Sequence, residues 1–269
     1  MNFIKKLMVE PGSKIKFSDF DPGDTFGYSD DKKTQTKQDK ILSRLDDLQY
    51  LFYAVKDRAL LVVLQGMDTA GKDGTIRHVM SGMSPQGCRV TPFKSPTPEE
   101  SAHDFLWRIH KAVPEKGIVG IFNRSQYEDV LVVRVHKLVP KKVWKARYDE
   151  INGFEKLLSE NGVHIVKLFL HISKDEQKKR LQERLTDPAK TWKISAADFA
   201  ERKYWDDYAD AYEDVLSRCS TERAPWFVIP ANHKWFRNFA VSKILVETFE
   251  NFDMQLPQPS VDVTKLKLS

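Results

Sequence analysis

Cysteine is scarce in this sequence. Only Cys88 and Cys219 occur among 269 residues, and they form no Cys-x-x-Cys pair. This scarcity argues against a disulfide-stapled secreted domain and against a zinc site built from cysteines, and it fits a reducing compartment. The seven histidines show no metal-ligand spacing, and no His-Glu-x-x-His motif occurs. We therefore expect a cytoplasmic protein.

Long apolar runs are absent as well. The first ten residues contain no apolar core of signal-peptide length, and no run approaches the roughly 20 residues that cross a bilayer. We expect no membrane association. The chain also has no internal repeat and no low-complexity segment.

The composition is that of a globular protein. Hydrophobic residues make up 41% of the chain and charged residues 30%, so there is enough apolar material for a core. The formal net charge of +5 favours polyanionic ligands, although so modest an excess says little alone. The length suits one large α/β domain with an appended piece.

Apolar strand-like runs alternate with amphipathic helical patterns along most of the chain. This alternation predicts an α/β fold with a mostly parallel, five-stranded sheet covered by helices on both faces, a three-layer sandwich. Ligands of such sheets bind at the carboxyl ends of the strands. The predicted strands are 60–65, 89–93, 117–122, 163–172 and 226–230. The predicted helices include 33–57, one that Pro98 opens, one that begins at Pro140 and ends at Asn161-Gly162, 195–218 and about 233–252.

Breaks in this pattern predict the organisation of the chain. Residues 1–32 are polar and turn-rich, and we interpret them as an N-terminal arm that wraps the core or reaches a partner subunit. We expect residues 33–255 to form the main domain and residues 256–269 to form a polar C-terminal tail. A serine followed three residues later by glutamate, at 173 and 176, predicts a capping box for one of the helices.

The most informative motif is a glycine loop between a strand and a helix. Gly66-Met67-Asp68-Thr69-Ala70-Gly71-Lys72-Asp73-Gly74 follows the first apolar strand and precedes a helical segment. Such a loop turns its backbone N–H groups toward an anion, and the start of the helix adds positive potential. Lys72 supplies a mobile full charge. The alternative, a glycine turn with solvated acids, is much less consistent with the flanking elements.

Two acids distinguish this loop from a typical phosphate loop. Asp73 stands where a serine or threonine usually contacts Mg²⁺, and Asp68 lies inside the loop. Two carboxylates beside a phosphate would repel it unless a cation intervened. The loop therefore predicts a site that uses Mg²⁺ as a bridge.

A second charged cluster follows the third predicted strand. It comprises Asn123, Arg124 and Glu128 in the run Phe122-Asn123-Arg124-Ser125-Gln126-Tyr127-Glu128-Asp129-Val130. Arginine offers a planar fork to phosphate oxygens, and Glu128 can supply a carboxylate to Mg²⁺ or to an acceptor. A plain helix start with a surface arginine is the alternative. Beside a phosphate loop, the functional interpretation is favoured.

These residues resemble the family-2 polyphosphate kinases. The resemblance rests on the glycine loop, the run from Phe122 to Val130, the segment from Gln182-Glu183-Arg184-Leu185 to Trp192-Lys193, and the late strand Ala224-Pro225-Trp226-Phe227-Val228-Ile229-Pro230-Ala231. They occur in the expected order over about residues 35–255. The resemblance implies a P-loop kinase of thymidylate-kinase-like architecture with a helical lid, at about residues 180–215.

The resemblance also implies an activity. Enzymes of this family transfer the terminal phosphate of inorganic polyphosphate to a nucleotide with Mg²⁺, for which Mn²⁺ can substitute. The pairing of Asn123 with Glu128 is most similar to the subgroup that accepts both nucleoside mono- and diphosphates, carrying AMP to ADP and on to ATP. Adenine nucleotides are the expected acceptors, with guanine nucleotides as further candidates. The family tends to form dimers or tetramers.

Site residues follow from the resemblance position by position. The expected catalytic residues are Asp68, Lys72, Arg124 and Glu128, of which Asp68 and Glu128 also hold Mg²⁺. Asparagine at 123, where other members have an acid, leaves the metal ligands open. The expected phosphate-binding or substrate-binding residues are Gly66, Met67, Thr69, Ala70, Gly71, Asp73, Gly74, Asn123, Arg134 and Arg184.

Polyphosphate also needs a set of cations along its path. Candidates in the lid are Lys178, Lys179, Arg180, Arg184, Lys190 and Lys193. A solvated helix face is the favoured interpretation of Lys178, Lys179 and Lys190. Four tryptophans could stack on a base, but their spacing favours core packing instead; they are Trp192, Trp205, Trp226 and Trp235.

Two other functions remain open from the sequence. One is an ATP-dependent kinase for a nucleotide or other small molecule, which would use the same loop. The other is a nucleotide switch or nucleic-acid-binding module. The sequence contains no Asn-Lys-x-Asp guanine signature and no aromatic-basic strand pattern, so we expect no nucleic-acid partner.

Overall fold

The computed structural model describes residues 3–194 and 196–261. A five-stranded sheet forms its centre, in the order β2-β3-β1-β4-β5. Every neighbouring pair of strands is parallel, so the predicted sheet is confirmed. The strands are Ala59–Gly66 (β1), Cys88–Pro92 (β2), Val119–Asn123 (β3), Val163–His171 (β4) and Trp226–Pro230 (β5).

Eleven α-helices join and cover these strands within the described residues. They are Ile4–Leu7 (α1), Lys32–Val55 (α2), Lys72–Met80 (α3), Pro98–Ser101 (α4), Trp107–Ala112 (α5), Glu128–Val135 (α6), Lys141–Glu160 (α7), Lys174–Thr186 (α8), Ala196–Glu201 (α9), Trp205–Cys219 (α10) and Lys234–Glu250 (α11). Helices α2, α3 and α11 pack together, as do α6, α7 and α10. With the sheet they make three layers. No helix among residues 3–194 and 196–261 has the length and apolar character needed to span a membrane.

The central strands are buried because helices cover the sheet. All eight residues of β1 are buried, and so is every residue of β4 except His164. Continuous apolar burial of this kind is typical of a parallel sheet. The parallel pairing of β1 with β3, in which Leu64 lies opposite Asn123, places the carboxyl ends of these two strands next to each other.

Two predicted helices are divided in the structure. The helix expected over 195–218 consists of α9, a 3-10 turn at Arg202–Tyr204 and α10. The helix opened by Pro98 ends at Ser101, and α5 begins only at Trp107. Between them the Asp104 carboxylate accepts a hydrogen bond from the backbone N–H of Leu106, a local bond that competes with the helix.

The predicted capping box at α8 is half right. Ser173 caps the helix, since its hydroxyl accepts a hydrogen bond from the backbone N–H of Glu176. The Glu176 carboxylate does not complete the box but pairs with Arg180 at 2.7 Å. The backbone N–H of Ser173, which would complete the box, donates instead to the side-chain oxygen of Asn232 at 3.0 Å.

The N-terminal segment packs on the core of its own chain. Met8 forms an isolated antiparallel bridge with Phe227, and the N–H of Val9 donates to the carbonyl of Trp226 at 2.8 Å. Phe3 is buried and lies against Phe236 of α11, with ring centroids 5.7 Å apart. The segment therefore covers β5, which is one edge of the sheet. Residues 1–2 of the arm and 262–269 of the tail lie outside the described residues.

Candidate active site

The glycine loop connects the end of β1 to the start of α3, as the sequence predicts. Two of its glycines have no room for a side chain. A Cβ at Gly66 would lie 2.8 Å from the carbonyl oxygen of Leu170. Gly71 has φ +103°, and a Cβ there would lie 1.9 Å from a guanidinium nitrogen of Arg237. The loop is therefore pressed against β4 and α11, and its shape is fixed by these contacts.

Two buried arginines donate hydrogen bonds to backbone carbonyls of the glycine loop. Arg180 donates hydrogen bonds to the carbonyls of Thr69 and Ala70, both at 3.0 Å, and to those of Ala231 and Asn232. Arg237 adds a bond to the Ala70 carbonyl at 3.4 Å. With their carbonyls occupied below, the peptide units of the loop keep a fixed orientation.

The position of Arg180 corrects a prediction. The sequence placed it among the lid cations that contact polyphosphate, but it is only 5% exposed and lines neither of the cavities described below. In the structure it pairs with the carboxylate of Glu176, four residues earlier, at 2.7 Å. Nothing in the sequence indicated that the guanidinium turns toward the loop. Among the other candidates, the side chain of Lys193 lies outside the described residues.

Lys72 occupies the first position of α3 and reaches back over the loop. Its ammonium donates to the carbonyl of Gly66 at 2.8 Å and to that of Met67 at 3.4 Å. Burial lowers the pKa of Lys72, and the nearby charge of Arg124 adds to that effect. A phosphate at the loop would act in the opposite direction and favour the charged ammonium.

Charged side chains from the two sequence motifs meet at the ends of β1 and β3. Arg124 lies 3.1 Å from the Asp68 carboxylate and 3.8 Å from that of Glu128, so it bridges the two acids. The Asn123 amide donates to Asp73 at 2.9 Å. Arg124 adopts φ +64°, a left-handed conformation that is uncommon outside glycine. The structure thus brings together the two clusters that the sequence predicted separately.

Glu128 is an acid of the site whose side chain is only 15% exposed. Burial raises its pKa, while the charges of Arg124 and Lys72 oppose the shift. The carboxylate is therefore held in a place where a cation, rather than water, would stabilise its ionised form. Perturbed carboxyl groups of this kind are frequent at catalytic sites.

Two adjoining cavities open over the loop. The first is lined by Glu128 and by the aromatic side chains of Trp205, Tyr208 and Tyr212. The second is lined by Lys72 together with Gly71, Gly74, Asp73, Asn123, Arg184 and Trp192. Residues common to both are Asp68, Ser95, Arg124 and Asp198. Asp68 and Arg124 therefore stand at the junction of the two cavities.

Arg134 is not brought together with the other predicted residues. It donates to the Asp214 carboxylate at 2.6 Å, lies over the ring of Trp144 and lines neither cavity. Arg184 does line the second cavity, where it pairs with Asp198 of α9 at 2.8 Å. Ala70 is fully buried and lines neither cavity, and its backbone N–H donates to the carbonyl of Met67 at 3.0 Å.

Some site residues were not found from the sequence. Gln177 donates to the backbone carbonyl of Asp68 at 3.1 Å, and buried Gln65 donates to the hydroxyl of Ser125 at 3.2 Å. No spacing rule marks such glutamines, although a glutamine inside an apolar strand, as at 65, is an anomaly that could have been noted. The core prediction for Trp192 is wrong, since its side chain is 77% exposed at the second cavity, whereas Trp226 is fully buried as predicted.

A phosphate loop on a parallel sheet, facing converging arginine, lysine and acidic side chains, defines a P-loop phosphotransferase. Comparison with known families makes this specific. The family model described as Polyphosphate kinase 2 matches residues 28–257. The chain belongs to this family, and the resemblance inferred from the motifs is confirmed.

Individual relatives agree with this assignment. The chain is 51% identical over 264 residues to a protein of Meiothermus ruber named AMP/ADP-polyphosphate phosphotransferase, covering 98% of this chain and 99% of that one. It is 50% identical over 229 residues to an ADP-polyphosphate phosphotransferase of Rhodopseudomonas palustris, covering 81% and 79%. The crystal structure of polyphosphate kinase 2 from Arthrobacter aurescens TC1 superposes with a TM-score of 0.91 at 47% identity, covering 95% of this chain and 92% of that one.

Proposed function

We propose that this enzyme transfers the terminal phosphate of inorganic polyphosphate to nucleoside mono- and diphosphates, carrying AMP to ADP and ADP to ATP. The names of the Meiothermus and Rhodopseudomonas relatives support polyphosphate as the donor and AMP and ADP as acceptors. A relative from Corynebacterium glutamicum, 29% identical, is named as a putative GDP-polyphosphate phosphotransferase, which supports testing guanine acceptors. The ATP-dependent alternative has no such support.

The meeting of Asp68 and Arg124 between the two cavities is the observation that carries the proposal. Phosphoryl transfer needs alignment of donor and acceptor and neutralisation of the charge on the transferred group. Arg124 can contact the group in transit from this place, while Lys72 and the loop N–H groups hold the neighbouring phosphates. Glu128, at the base of the first cavity, is suited to orient the acceptor.

We propose Mg²⁺, with Mn²⁺ as a substitute, as the metal of the reaction. The described residues contain no group of three or more histidine, cysteine or acidic side chains able to hold a metal alone. Mg²⁺ often binds instead through one or two carboxylates together with substrate phosphates and water, and Asp68 and Glu128, which share Arg124, fit this pattern. When bound, the ion would neutralise phosphate charge. We expect Asp68→Asn to raise the Mg²⁺ concentration needed for half-maximal rate.

We also propose the following organisation. Residues 33–255 form the kinase domain, flanked by the arm at 1–32 and the tail at 256–269, and about residues 180–215 form a lid. The pair of Arg184 with Asp198 links α8 to α9 and supports a hinged unit that closes over the second cavity. A cytoplasmic homodimer or homotetramer is the proposed form of the enzyme.

The test is nucleotide formation from purified components. Long-chain polyphosphate and Mg²⁺ should convert AMP to ADP and then ATP in the absence of ATP, with ADP, GMP and GDP assayed in parallel. Wild-type protein that forms no ADP from AMP and polyphosphate would refute the proposal. Phosphorylation that occurs only with ATP as donor would establish the alternative kinase.

A further inference from the structure

A buried polar cluster lies beneath the segment that carries Arg124 and Glu128. Two of its members belong to that segment, one to α7 and one to β4. All four are at most 2% exposed, and none lines either cavity. The members of this buried polar cluster are Gln126, Tyr127, Glu155 and Lys167.

Hydrogen bonds join the four side chains to one another. The Lys167 ammonium lies 2.6 Å from one oxygen of Glu155 and donates to the Tyr127 hydroxyl at 2.9 Å. The other oxygen of Glu155 accepts from the Tyr127 hydroxyl at 2.7 Å and from the Gln126 amide at 3.0 Å. Burial raises the pKa of Tyr127 well above its usual range, and the charge of Glu155 adds to this, so the hydroxyl keeps its proton.

Stability alone does not account for an ion pair in the core. Removing two charges from water is costly, and apolar residues of similar volume often stabilise a core equally well. The amide oxygen of Gln126 has no partner, but the four hydrogen bonds among these side chains restrict the cluster to one arrangement. In this chain it restricts Gln126 and Tyr127, the two residues immediately before Glu128.

The segment needs such a restraint. Arg124 has φ +64°, a backbone conformation that persists only when surrounding contacts enforce it. The N–H of Arg124 is bonded to the carbonyl of Leu64, and Ser125 accepts from Gln65 at 3.2 Å. The buried polar cluster fixes the other end of the segment, so both ends are tied to buried parts of the sheet and of α7.

We infer that Glu155 and Lys167 are positioning residues for phosphate transfer. They act through Tyr127 and Gln126, which hold Arg124 and Glu128 at the junction of the two cavities. This inference rests on the proposed function. Because the cluster lines neither cavity but fixes the segment that carries Arg124 and Glu128, its loss should misalign the reacting groups and lower kcat. The KM for polyphosphate should change little, because the loop at 66–74 and the exposed cations available to bind the polyanion lie outside the cluster.

Two substitutions remove hydrogen bonds to the Glu155–Lys167 pair and leave the pair itself in place, two bonds in the first variant and one in the second. They are Tyr127→Phe and Gln126→Met, made in the full chain and assayed with AMP, polyphosphate and Mg²⁺. We expect kcat to fall by about tenfold to a hundredfold, with KM for polyphosphate within about twofold of wild type. The matched control is Ile151→Val, a buried change on α7 one turn from Glu155, which should lower the melting temperature and leave kcat unchanged.

Each outcome decides the inference. A folded Tyr127→Phe or Gln126→Met protein with wild-type kcat would overturn it. So would an Ile151→Val protein that loses kcat as much as they do, or failure of both cluster variants to fold, because the role would then be purely structural. A wild-type enzyme that does not use polyphosphate refutes the proposed function instead, and that result is seen before any variant is compared.

Discussion

At the scale of single residues, Lys72 shows how the site is prepared for an anion. Its ammonium rests on the carbonyls of Gly66 and Met67, which are weak substitutes for phosphate oxygens. Burial lowers its pKa, so a bound phosphate would relieve an existing electrostatic cost. The charge is therefore kept next to the loop before the substrate arrives.

Replacement of this charge should stop the reaction. We expect Lys72→Ala to lower kcat/KM by about a hundredfold to a thousandfold, because a cation aimed at the transferred phosphates is lost. The melting temperature should stay close to that of wild type. Lys156→Ala, an exposed change on α7, is the control and should leave both quantities unchanged. Near-normal turnover of Lys72→Ala would remove the loop from the mechanism.

Replacement of the Glu128 carboxylate should make the protein more stable and less active. Because burial raises its pKa, its ionised form costs folding free energy at neutral pH. We expect Glu128→Gln to raise the free energy of unfolding by about 0.5–2 kcal/mol at pH 7 while lowering kcat at least tenfold, by rough analogy with other strained sites.

The pH dependence gives the sign of this effect. Because the pKa of Glu128 is raised in the folded state, the ionised carboxylate destabilises the folded protein. This destabilisation disappears at a pH low enough to protonate the carboxyl in both the folded and the unfolded state. The advantage of Glu128→Gln should therefore vanish below about pH 4.3, the usual value for glutamate. Urea denaturation of both proteins from pH 4 to pH 8 measures the difference. An advantage that grows toward low pH would contradict the assignment.

The sequence motifs contain most of the charged residues that converge at the site, but they do not reveal the buried residues that support the loop. Lys72, Asp68, Arg124 and Glu128 lie in motifs whose spacing carries their chemistry. Arg180 looked like a surface cation, because a helix pattern does not reveal which way a guanidinium turns. Such contacts form between segments far apart in the chain, so no local pattern encodes them.

At the scale of elements, the junction of β1, the glycine loop and α3 leaves no room for added side chains at Gly66 and Gly71. Gly71 combines a positive φ with the close approach of Arg237. We expect Gly71→Ala to cost about 2–4 kcal/mol of unfolding free energy, because of backbone strain and a displaced buried charge, and to abolish transfer.

A matched control lies on another helix. Gly153 is within α7, and a Cβ there would meet no atom within 4 Å. Gly153→Ala should therefore stabilise the protein by about 0.5–1 kcal/mol and leave kcat unchanged. Thermal melts and assays of the two variants measure the contrast. Equal effects of both substitutions would show that the contacts at Gly71 do not matter.

Elements were predicted well where a periodic apolar pattern is long, and less well where local bonds intervene. The strands and the long helices α2, α7 and α11 lie within a few residues of their predicted bounds. The prediction of a single helix over 195–218 was wrong. The aromatic spacing continues across residues 202–204, but the backbone forms a tighter 3-10 turn there. Arg202 donates to the carbonyl of Lys174 and to the side chain of Gln177, contacts with α8 that sequence periodicity does not register.

At the scale of the whole molecule, the excess of positive charge should affect the choice of donor. A long polyanion releases more counterions on binding than a short one, by analogy with single-stranded nucleic acids. We expect log KM to rise with log salt concentration more steeply for long-chain polyphosphate than for tripolyphosphate. Kinetics at several KCl concentrations with both donors measure the two slopes. Equal slopes would show that cations beyond the loop do not contribute to binding.

The two arginines beneath the loop also have a consequence for biosynthesis. Arg180 and Arg237 follow the loop carbonyls that they bind by up to 111 and 167 residues, so the ribosome releases them long after the glycine loop itself. A nascent chain that has exposed only its first half contains the phosphate motif but lacks its support. We therefore expect stalled or C-terminally truncated products ending before residue 237 to be unable to capture cellular polyphosphate, which pull-down of such fragments on a polyphosphate resin would measure.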